Sequence, residues 1–328
     1  MKPTWEQLAL RYKDKRIVIT GASGFIASGI LRYLTQVPCF LVRVMRKPST
    51  ENFHSKAQIH DIIGDVRDYS TWEQALPKAE IIFHLAAQTS ASQADKDPSS
   101  DLEHNVLPMI HLFTACRRLK ISPIIILAST VTVAGIAKQL PVNESFEDHP
   151  ITIYDLHKQM AEGYLKYHTR LGAGQGTVLR LANVYGPGSQ SSQVDRGILN
   201  LMIRKALAGE TLTIFGKGDA LRDYSYIDDI AMGFLLAPLH IDSLNGQHYI
   251  LGSGQGYTIS DAIHLIAKTV KMKTKKSVSV IHVDPPSTLG IIETRNFTAN
   301  AQRFSEATGW TPFCTFPQGI DLTIEAFL

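Results

Sequence analysis

Six short apolar runs recur through the first half of the chain, at 16–20, 40–46, 59–65, 80–87, 123–130 and 177–185. Apart from 59–65, which His60, Asp61 and Asp65 interrupt, each is largely continuous rather than alternating, the pattern of strands buried on both faces. Between them apolar positions return at helical spacing, near 25–35, 71–76, 105–119 and 154–171, with Lys78, Lys120 and Gly172 close to the helix ends. Strand and helix in alternation predict a parallel sheet with helices on both faces. The rhythm changes after Gly186-Pro-Gly188, where a Ser/Gln-rich loop (Ser189-Gln-Ser-Ser-Gln193) leads into a helix at 198–208 and then shorter mixed elements.

The first strand breaks at glycine and runs straight into a helix: Arg16-Ile-Val-Ile-Thr-Gly-Ala-Ser-Gly-Phe-Ile-Ala-Ser-Gly29. Such a turn brings backbone N–H groups and the positive end of a helix up to a pyrophosphate, and Gly21 and Gly24 leave no side chain in the way. The spacing is Gly-x-x-Gly-x-x-Ala, and Ala27 is small enough for close helix-to-strand packing. The fold class expected is therefore α/β, a Rossmann-like doubly wound parallel sheet with a smaller mixed α/β C-terminal substrate domain. The dinucleotide-binding domain is expected over 1–185 and a mainly substrate-binding domain over 186–328, with segments around 221–256 returning to the first.

In doubly wound sheets the ligand lies beyond the C-terminal strand ends. Gly64-Asp65-Val66, His84-Leu85-Ala86-Ala87-Gln88 and Ala128-Ser129-Thr130 stand at three of those ends, so one pocket can collect them. Thr130 offers a hydroxyl to a substrate oxygen, and Asp65 an acceptor to an adenine amine. His84 reads more readily as a core histidine than as a catalyst. Tyr154 and Lys158, four apart, share one helix face. A tyrosine titrates near ~10, so action as a base near neutral pH takes about 4 kcal/mol of preferential stabilisation of the phenolate. A lysine ammonium and an oxidised nicotinamide both have the sign for it.

Composition changes the picture only by exclusion. The 328 residues are 44% hydrophobic and 19% charged with a net charge of +3, which argues for a globular chain and against a nucleic-acid partner. No apolar stretch is long enough for a bilayer and the first residues lack a signal-peptide core, so the expectation is a cytoplasmic protein without a membrane partner. Cys39, Cys116 and Cys314 are too scattered for a metal cluster or disulfide framework, and no metal site is expected.

Taken in order, Thr20-Gly-Ala-Ser-Gly-Phe-Ile26, Gly64-Asp-Val-Arg-Asp68, His84-Leu-Ala-Ala87, Asn105-Val, Ala128-Ser-Thr130, Tyr154 with Lys158, Arg180-Leu-Ala-Asn-Val-Tyr-Gly-Pro-Gly188, Ile214-Phe-Gly-Lys-Gly218 and Arg222-Asp-Tyr-Ser-Tyr-Ile-Asp-Asp229 cover nearly the whole chain. With them the sequence resembles the extended short-chain dehydrogenase/reductases, in the group of nucleotide-sugar epimerases, dehydratases and reductases. The resemblance implies that Tyr154 is the general acid/base, that Lys158 lowers its pKa and holds the nicotinamide ribose, and that Thr130 fills the family's catalytic Ser/Thr position. It implies cofactor contacts from Gly21, Ser23, Gly24, Phe25, Ile26, Asp65, Val66, Leu85, Ala86, Ala87 and Asn105, the last supporting the site from its helix. Substrate contacts fall to Gln88, Thr130, Thr132, Asn183 and Arg222, the last two on the nucleotide diphosphate, where an arginine fork suits phosphate. Two helices per subunit, 105–119 and 154–171, are the family's homodimer surface.

Departures narrow the reaction. The family's 4,6-dehydratases follow the hydroxyl with Asp-Glu, where this chain has Val131 and Thr132; the decarboxylases keep a glutamate at the position of Thr132. GDP-fucose synthase has cysteine at Thr132 and histidine at Gly188. Val133-Ala134-Gly135 replaces the usual Val-Tyr-Gly and leaves more room at the sugar, and no arginine in 285–293 matches the one that grips pyrophosphate. At the end of the second run, Val42-Arg-Val-Met-Arg-Lys-Pro48 offers no carboxylate for the ribose hydroxyls of NAD(H); Arg46, with Lys47 or Arg43 nearby, favours the 2′-phosphate of NADP(H), as in dihydroflavonol reductase. A reductase exchanges its cofactor at every turnover, so the reading placed first is hydride transfer to C4 of a 4-keto nucleotide hexose. The alternatives are a redox-neutral nucleotide-sugar 4-epimerase with tightly held NAD and a non-catalytic dinucleotide-binding regulator.

Overall fold

A computed structural model describes residues 5–48, 54–188, 197–285 and 295–328. The Ser/Gln-rich segment at 189–193, and all of 285–293 except Pro285, lie outside the described residues. Strands β1 (Arg16–Thr20), β2 (Phe40–Met45), β3 (Gln58–Ile63), β4 (Ile81–His84), β5 (Ile124–Thr130) and β6 (Gln175–Leu181) form one sheet in the order 3-2-1-4-5-6 counted from its edge, every pairing parallel. A seventh strand, His248–Leu251, joins beside β6, also in parallel.

The continuous apolar runs follow from burial on both sides. Ile17 and Ile19 of β1, Leu41, Ile81, Phe83 and Ile126 pack on one face with the helix α2 (Phe25–Leu34). Their neighbours Val18, Val42, Val44, Ile82, Ile125 and Leu127 pack on the other, against Trp72 of α3 (Tyr69–Ala75) and Met109 and Leu112 of a helix at Leu107–Leu119. Period-two alternation thus sorts like residues to two cores, and nothing polar is left to mark it. A third core lies C-terminal to the sheet strands, around Ile198–Ala208, Ile259–Thr274 and Phe316–Phe327.

Three expected elements differ. The run at 177–185 is two strands: after Ala182 the chain leaves the large sheet, and β7 (Asn183–Tyr185) pairs with Leu221–Tyr226 in a three-stranded sheet. The helix expected at 105–119 is divided, because Asn105 closes α5 (Pro98–Asn105) and Pro108 sits in the first turn of α6 (Leu107–Leu119), where its missing N–H costs nothing. A further helix precedes them, α4 (Ala91–Lys96), and the chain is already helical over α1 (Trp5–Tyr12). The strand expected at 80–87 stops at His84, since the N–H groups of Leu85 and Ala86 bond to Thr20 Oγ1 instead of a ladder.

Helix α7 (Ile153–Arg170), capped by the Thr152 hydroxyl on the Asp155 N–H, is seated on β5 and β6 by charge. Glu162, fully buried, accepts Ser129 Oγ at 2.6 Å and Arg180 Nε and Nη2 at 2.9 and 2.7 Å. Arg180 also forks onto Asp148 at 2.6 and 2.7 Å. Burial pushes the Glu162 carboxyl up, but the bonds and charge of Arg180, then Lys166 and Ser129, outweigh it and hold it below the ordinary range. Stability from this group is therefore complete above the unfolded carboxylate pKa of about 4 and lost as pH falls through the lower folded value. Glu162→Ala leaves the buried guanidinium with Asp148 alone, so the expected cost is about 3 kcal/mol in urea unfolding at pH 7, the low end of the range for breaking a buried pair. The gap between variant and wild type should close on acidification; a variant equally destabilised at every pH would refute the charge account.

Candidate active site

At the point where the strand order reverses, between β1 and β4, two backbones come into contact. Gly21 has φ +65, and a Cβ there would lie 2.9 Å from both Cα and N of Ala86. Gly24 N–H bonds back to Gly21 O at 2.8 Å, and α2 starts at Phe25 with no side-chain cap from Gly24. The first-turn N–H groups of α2 and the positive end of its dipole are thus suited to an anion. Ser23 is exposed on this turn, Phe25 and Ile26 half-buried, and Ala27 buried beneath it. Glycine at 21 serves the packing of protein on protein as much as any approach of a phosphate.

Thr20 locks the same junction. Its Oγ1 accepts Leu85 N–H at 3.1 Å and Ala86 N–H at 3.2 Å and stands 2.8 Å from His84 Nδ1. With two donors on the oxygen, the hydroxyl proton goes to Nδ1, leaving the ring proton on Nε2. Burial, then the charge of Lys158, pushes the His84 pKa down to about 3, so the ring is neutral and structural.

Tyr154, Lys158 and Thr130 are all buried where α7 crosses the end of β5. Lys158 Nζ donates to the carbonyl of Ala128 at 2.7 Å, two residues before Thr130 on the same strand. Thr130 Oγ1 is 3.0 Å from Thr132 Oγ1 and accepts the Thr132 N–H at 3.2 Å. The Thr132 hydroxyl in turn bonds to the carboxyl of Asp155. Behind this layer Asp101 is buried and accepts Gln88 Nε2 at 2.8 Å, Asn105 Nδ2 at 2.9 Å and His157 Nδ1 at 2.7 Å.

That layer changes two expectations. Gln88, expected on substrate, has its amide nitrogen on Asp101 and Ser90 O, and its amide oxygen on the Ser90 N–H. Asn105, expected to touch cofactor, is buried and reaches the site through the Gln88 carbonyl, at 3.0 Å. The Gln88 amide and Asn105 Nδ2 shape the loop after β4, where Leu85, Ala86 and Ala87 remain half-buried, while Asn105 Oδ1 is buried without a protein partner among the described residues.

On the adenosine side, Arg46 is exposed just past β2. Arg43 is not available beside it, because the β2–β3 register sets it opposite Asp61 and the two form a fork at 2.7 and 2.7 Å with the arginine buried. Asp65 is likewise engaged: Arg67 gives it N–H, Nε and Nη2 bonds at 2.9, 3.1 and 3.0 Å. Burial alone would raise its pKa, but Arg67 keeps the carboxylate below the usual range, so it stays an acceptor. Val66 beside it is buried.

On the other side, Asn183 is exposed at the start of β7, and Arg222 lies on its partner strand Leu221–Tyr226. Arg222 Nη1 bonds to Leu221 O at 2.9 Å and to the carbonyl of Arg295, which fixes one end of the guanidinium. Asp155, Asp101, His157 and Glu162 were not singled out from the sequence. Only Glu162 carried a signal, standing one helical turn beyond Lys158 on the face shared with Tyr154.

Comparison with known proteins agrees with this fold. The model of the NAD dependent epimerase/dehydratase family matches residues 17–252. A UDP-glucose 4-epimerase of Mycolicibacterium smegmatis is 29% identical over 318 residues, covering 95% of this chain and 98% of its own. The crystal structure of a Thermotoga maritima UDP-glucose 4-epimerase with UDP-glucose superposes at a TM-score of 0.83 with 28% identity, over 95% and 98% of the two chains. That of a Thermus thermophilus UDP-glucose 4-epimerase complexed with NAD gives 0.80 and 26%, over 95% and 98%.

Substituting Gly21→Ala tests the junction. Left-handed backbone costs a residue with a Cβ about 1–2 kcal/mol, and contact with Ala86 adds to it. The expected result is a lower urea midpoint together with a dinucleotide affinity reduced roughly tenfold or more, by titration; unchanged affinity would separate this turn from the cofactor site.

Proposed function

The chain belongs to the NAD dependent epimerase/dehydratase family, and within it we propose that the protein is a nucleotide-sugar 4-epimerase working with bound NAD. The observation that carries the proposal is the meeting of Tyr154, Lys158 and Thr130 in one buried cluster at the end of β5. UDP-glucose 4-epimerases matching nearly the full length support the substrate class. When bound, the nicotinamide supplies a hydride acceptor and donor, with the turn at Gly21–Ile26 and the loop Leu85–Ala87 to hold it.

The residues of the chain then divide the work. Tyr154 takes the proton of the C4 hydroxyl and later returns it, while the Lys158 ammonium, anchored to Ala128 O, stabilises the phenolate and holds the ribose. Thr130 orients the sugar oxygen. Arg222 and Asn183, on adjacent strands beyond the sheet, take the diphosphate. The larger sheet with its two flanking cores carries the dinucleotide, and the elements around Ile198–Ala208 and Ile259–Thr274 carry the sugar nucleotide. The exposed Arg46 favours a second reading, reduction of a 4-keto nucleotide sugar by NADPH, but with Arg43 paired to Asp61 the basic group there is smaller than the sequence implied.

A homodimer is part of the same proposal. Leu156, Met160, Tyr167 and Leu171 are exposed in a stripe down α7, on the side away from Tyr154 and Lys158, with Ile110 of α6 also exposed. A second copy covering the stripe would bury it isologously. Met160→Glu is expected to shift sedimentation to monomer; a wild type that already sediments as monomer would remove the dimer.

Tyr154→Phe should lower turnover of UDP-hexoses at least ~100-fold and leave cofactor content unchanged. Full activity in that variant would take Tyr154 out of the mechanism. The cofactor released by denaturing the purified protein separates the two readings: stoichiometric NAD supports the epimerase. An empty site, with NADPH-dependent reduction of a 4-keto sugar that Arg46→Ala impairs and NADH binding that it spares, would support the reductase.

A further inference from the structure

The three-membered chain Thr130–Thr132–Asp155 ends on a carboxyl that the proposed chemistry does not use. Asp155 is 2% exposed and follows Tyr154 directly, yet its side chain turns to the 3-10 turn after β5 and bonds Thr132 there. Each hydroxyl has one proton, so the direction of every bond in the chain is set from its end. With Asp155 ionised, Thr132 donates to Asp155 and Thr130 must donate to Thr132. Thr130 Oγ1 also accepts the Thr132 N–H, so it faces the site with a lone pair only. With Asp155 protonated on the oxygen that faces Thr132, the carboxyl donates to Thr132, Thr132 donates to Thr130, and the Thr130 proton is released toward the site.

We propose that Asp155 is a positioning residue whose proton decides whether Thr130 accepts from a sugar hydroxyl or donates to a sugar ketone. The proposal rests on Thr130 facing the sugar oxygen, as in the reading above. Each threonine keeps its own proton and rotates its O–H bond; only Asp155 exchanges a proton with solvent. A bond chain with two settings suits a reaction whose substrate is an alcohol and whose intermediate is a ketone. It also brings a carboxyl to Thr132, the position whose lack of one set this chain apart from the dehydratases.

Burial pushes the Asp155 carboxyl above its ordinary range, opposed by bonds from Thr132 and Thr152 and by the charge of Arg295. On its own helix Tyr154 and Lys158 stand next to it in sequence and one turn on, and Arg295 is the charged group acting on it from another segment. Because the folded pKa is raised, the donor setting of Thr130 holds at low pH and gives way as pH rises through that value.

The test measures dissociation constants of a UDP-hexose and of its 4-keto derivative against pH, with turnover recorded in parallel, on wild type, Asp155→Asn and Thr132→Val. Wild type should bind the ketone about tenfold more tightly on the acid side, the scale of one hydrogen bond gained, and the alcohol in the opposite sense. Asp155→Asn cannot ionise, so both profiles should flatten across that range. Thr132→Val retains the backbone bond but cuts the chain, and should flatten them even if Asp155→Asn fails to fold. Profiles that keep their shape in either variant, or run the same way for alcohol and ketone, overturn the role of Asp155 while normal turnover leaves the epimerase reading standing. Wild type without turnover of any UDP-hexose overturns both.

Discussion

The site depends on how α7 is held against β5. A helix packed by apolar contacts alone has some freedom to slide, whereas Lys158 and Glu162, one turn apart, reach two consecutive residues of the strand, Ala128 through its carbonyl and Ser129 through its hydroxyl. Thr130 is the next residue. Register between the helix carrying Tyr154 and the strand carrying Thr130 is thus fixed by two short polar bonds in a dry interior. Arg180 makes this tolerable, since a buried carboxylate without a partner is strongly unfavourable, and Asp148 completes the neutralisation of the arginine.

A comparable economy holds at the junction of β1 and β4. The turn after β1 and the loop after β4 touch through Gly21 and Ala86, and the Thr20 hydroxyl takes the two N–H groups that β4 would have offered to a continuing ladder. The strand therefore ends where the groove must open. Gln88, Asn105, Asp101 and His157 extend this network outward, bonding to each other and to Ser90.

Reaction choice within the family turns on small polar differences around one hydroxyl. The residue at 132 is a threonine, which by itself removes the carboxylate of the dehydratases and decarboxylases. The helix brings one back through Asp155, but buried and bonded to the threonine hydroxyl. The basic segment at the end of β2 is similarly conditional: the pairing of β2 with β3 takes Arg43 for Asp61 and leaves Arg46 and Lys47 exposed.

The sequence by itself determined the succession of strands and helices along the first half of the chain, the glycine turn into α2, and the helix carrying Tyr154 and Lys158. Those features are local, arising from apolar runs, a backbone break and a four-residue spacing, each read within a few residues. Only the tertiary structure decided which polar side chains were spent internally. Gln88 meets Asp101 and Asn105 because the loop after β4 folds over α5, Arg43 meets Asp61 through strand register, and Arg180 of β6 meets Glu162 of α7 and Asp148 of a loop. The single helix expected at 105–119 and the single strand expected at 177–185 are each divided for a related reason, as Pro108 and the departure at Ala182 mark breaks that apolar periodicity does not register. Long-range hydrogen bonds have no signature in local pattern, because the desolvation that forces a polar group to find a partner is set by what packs over it.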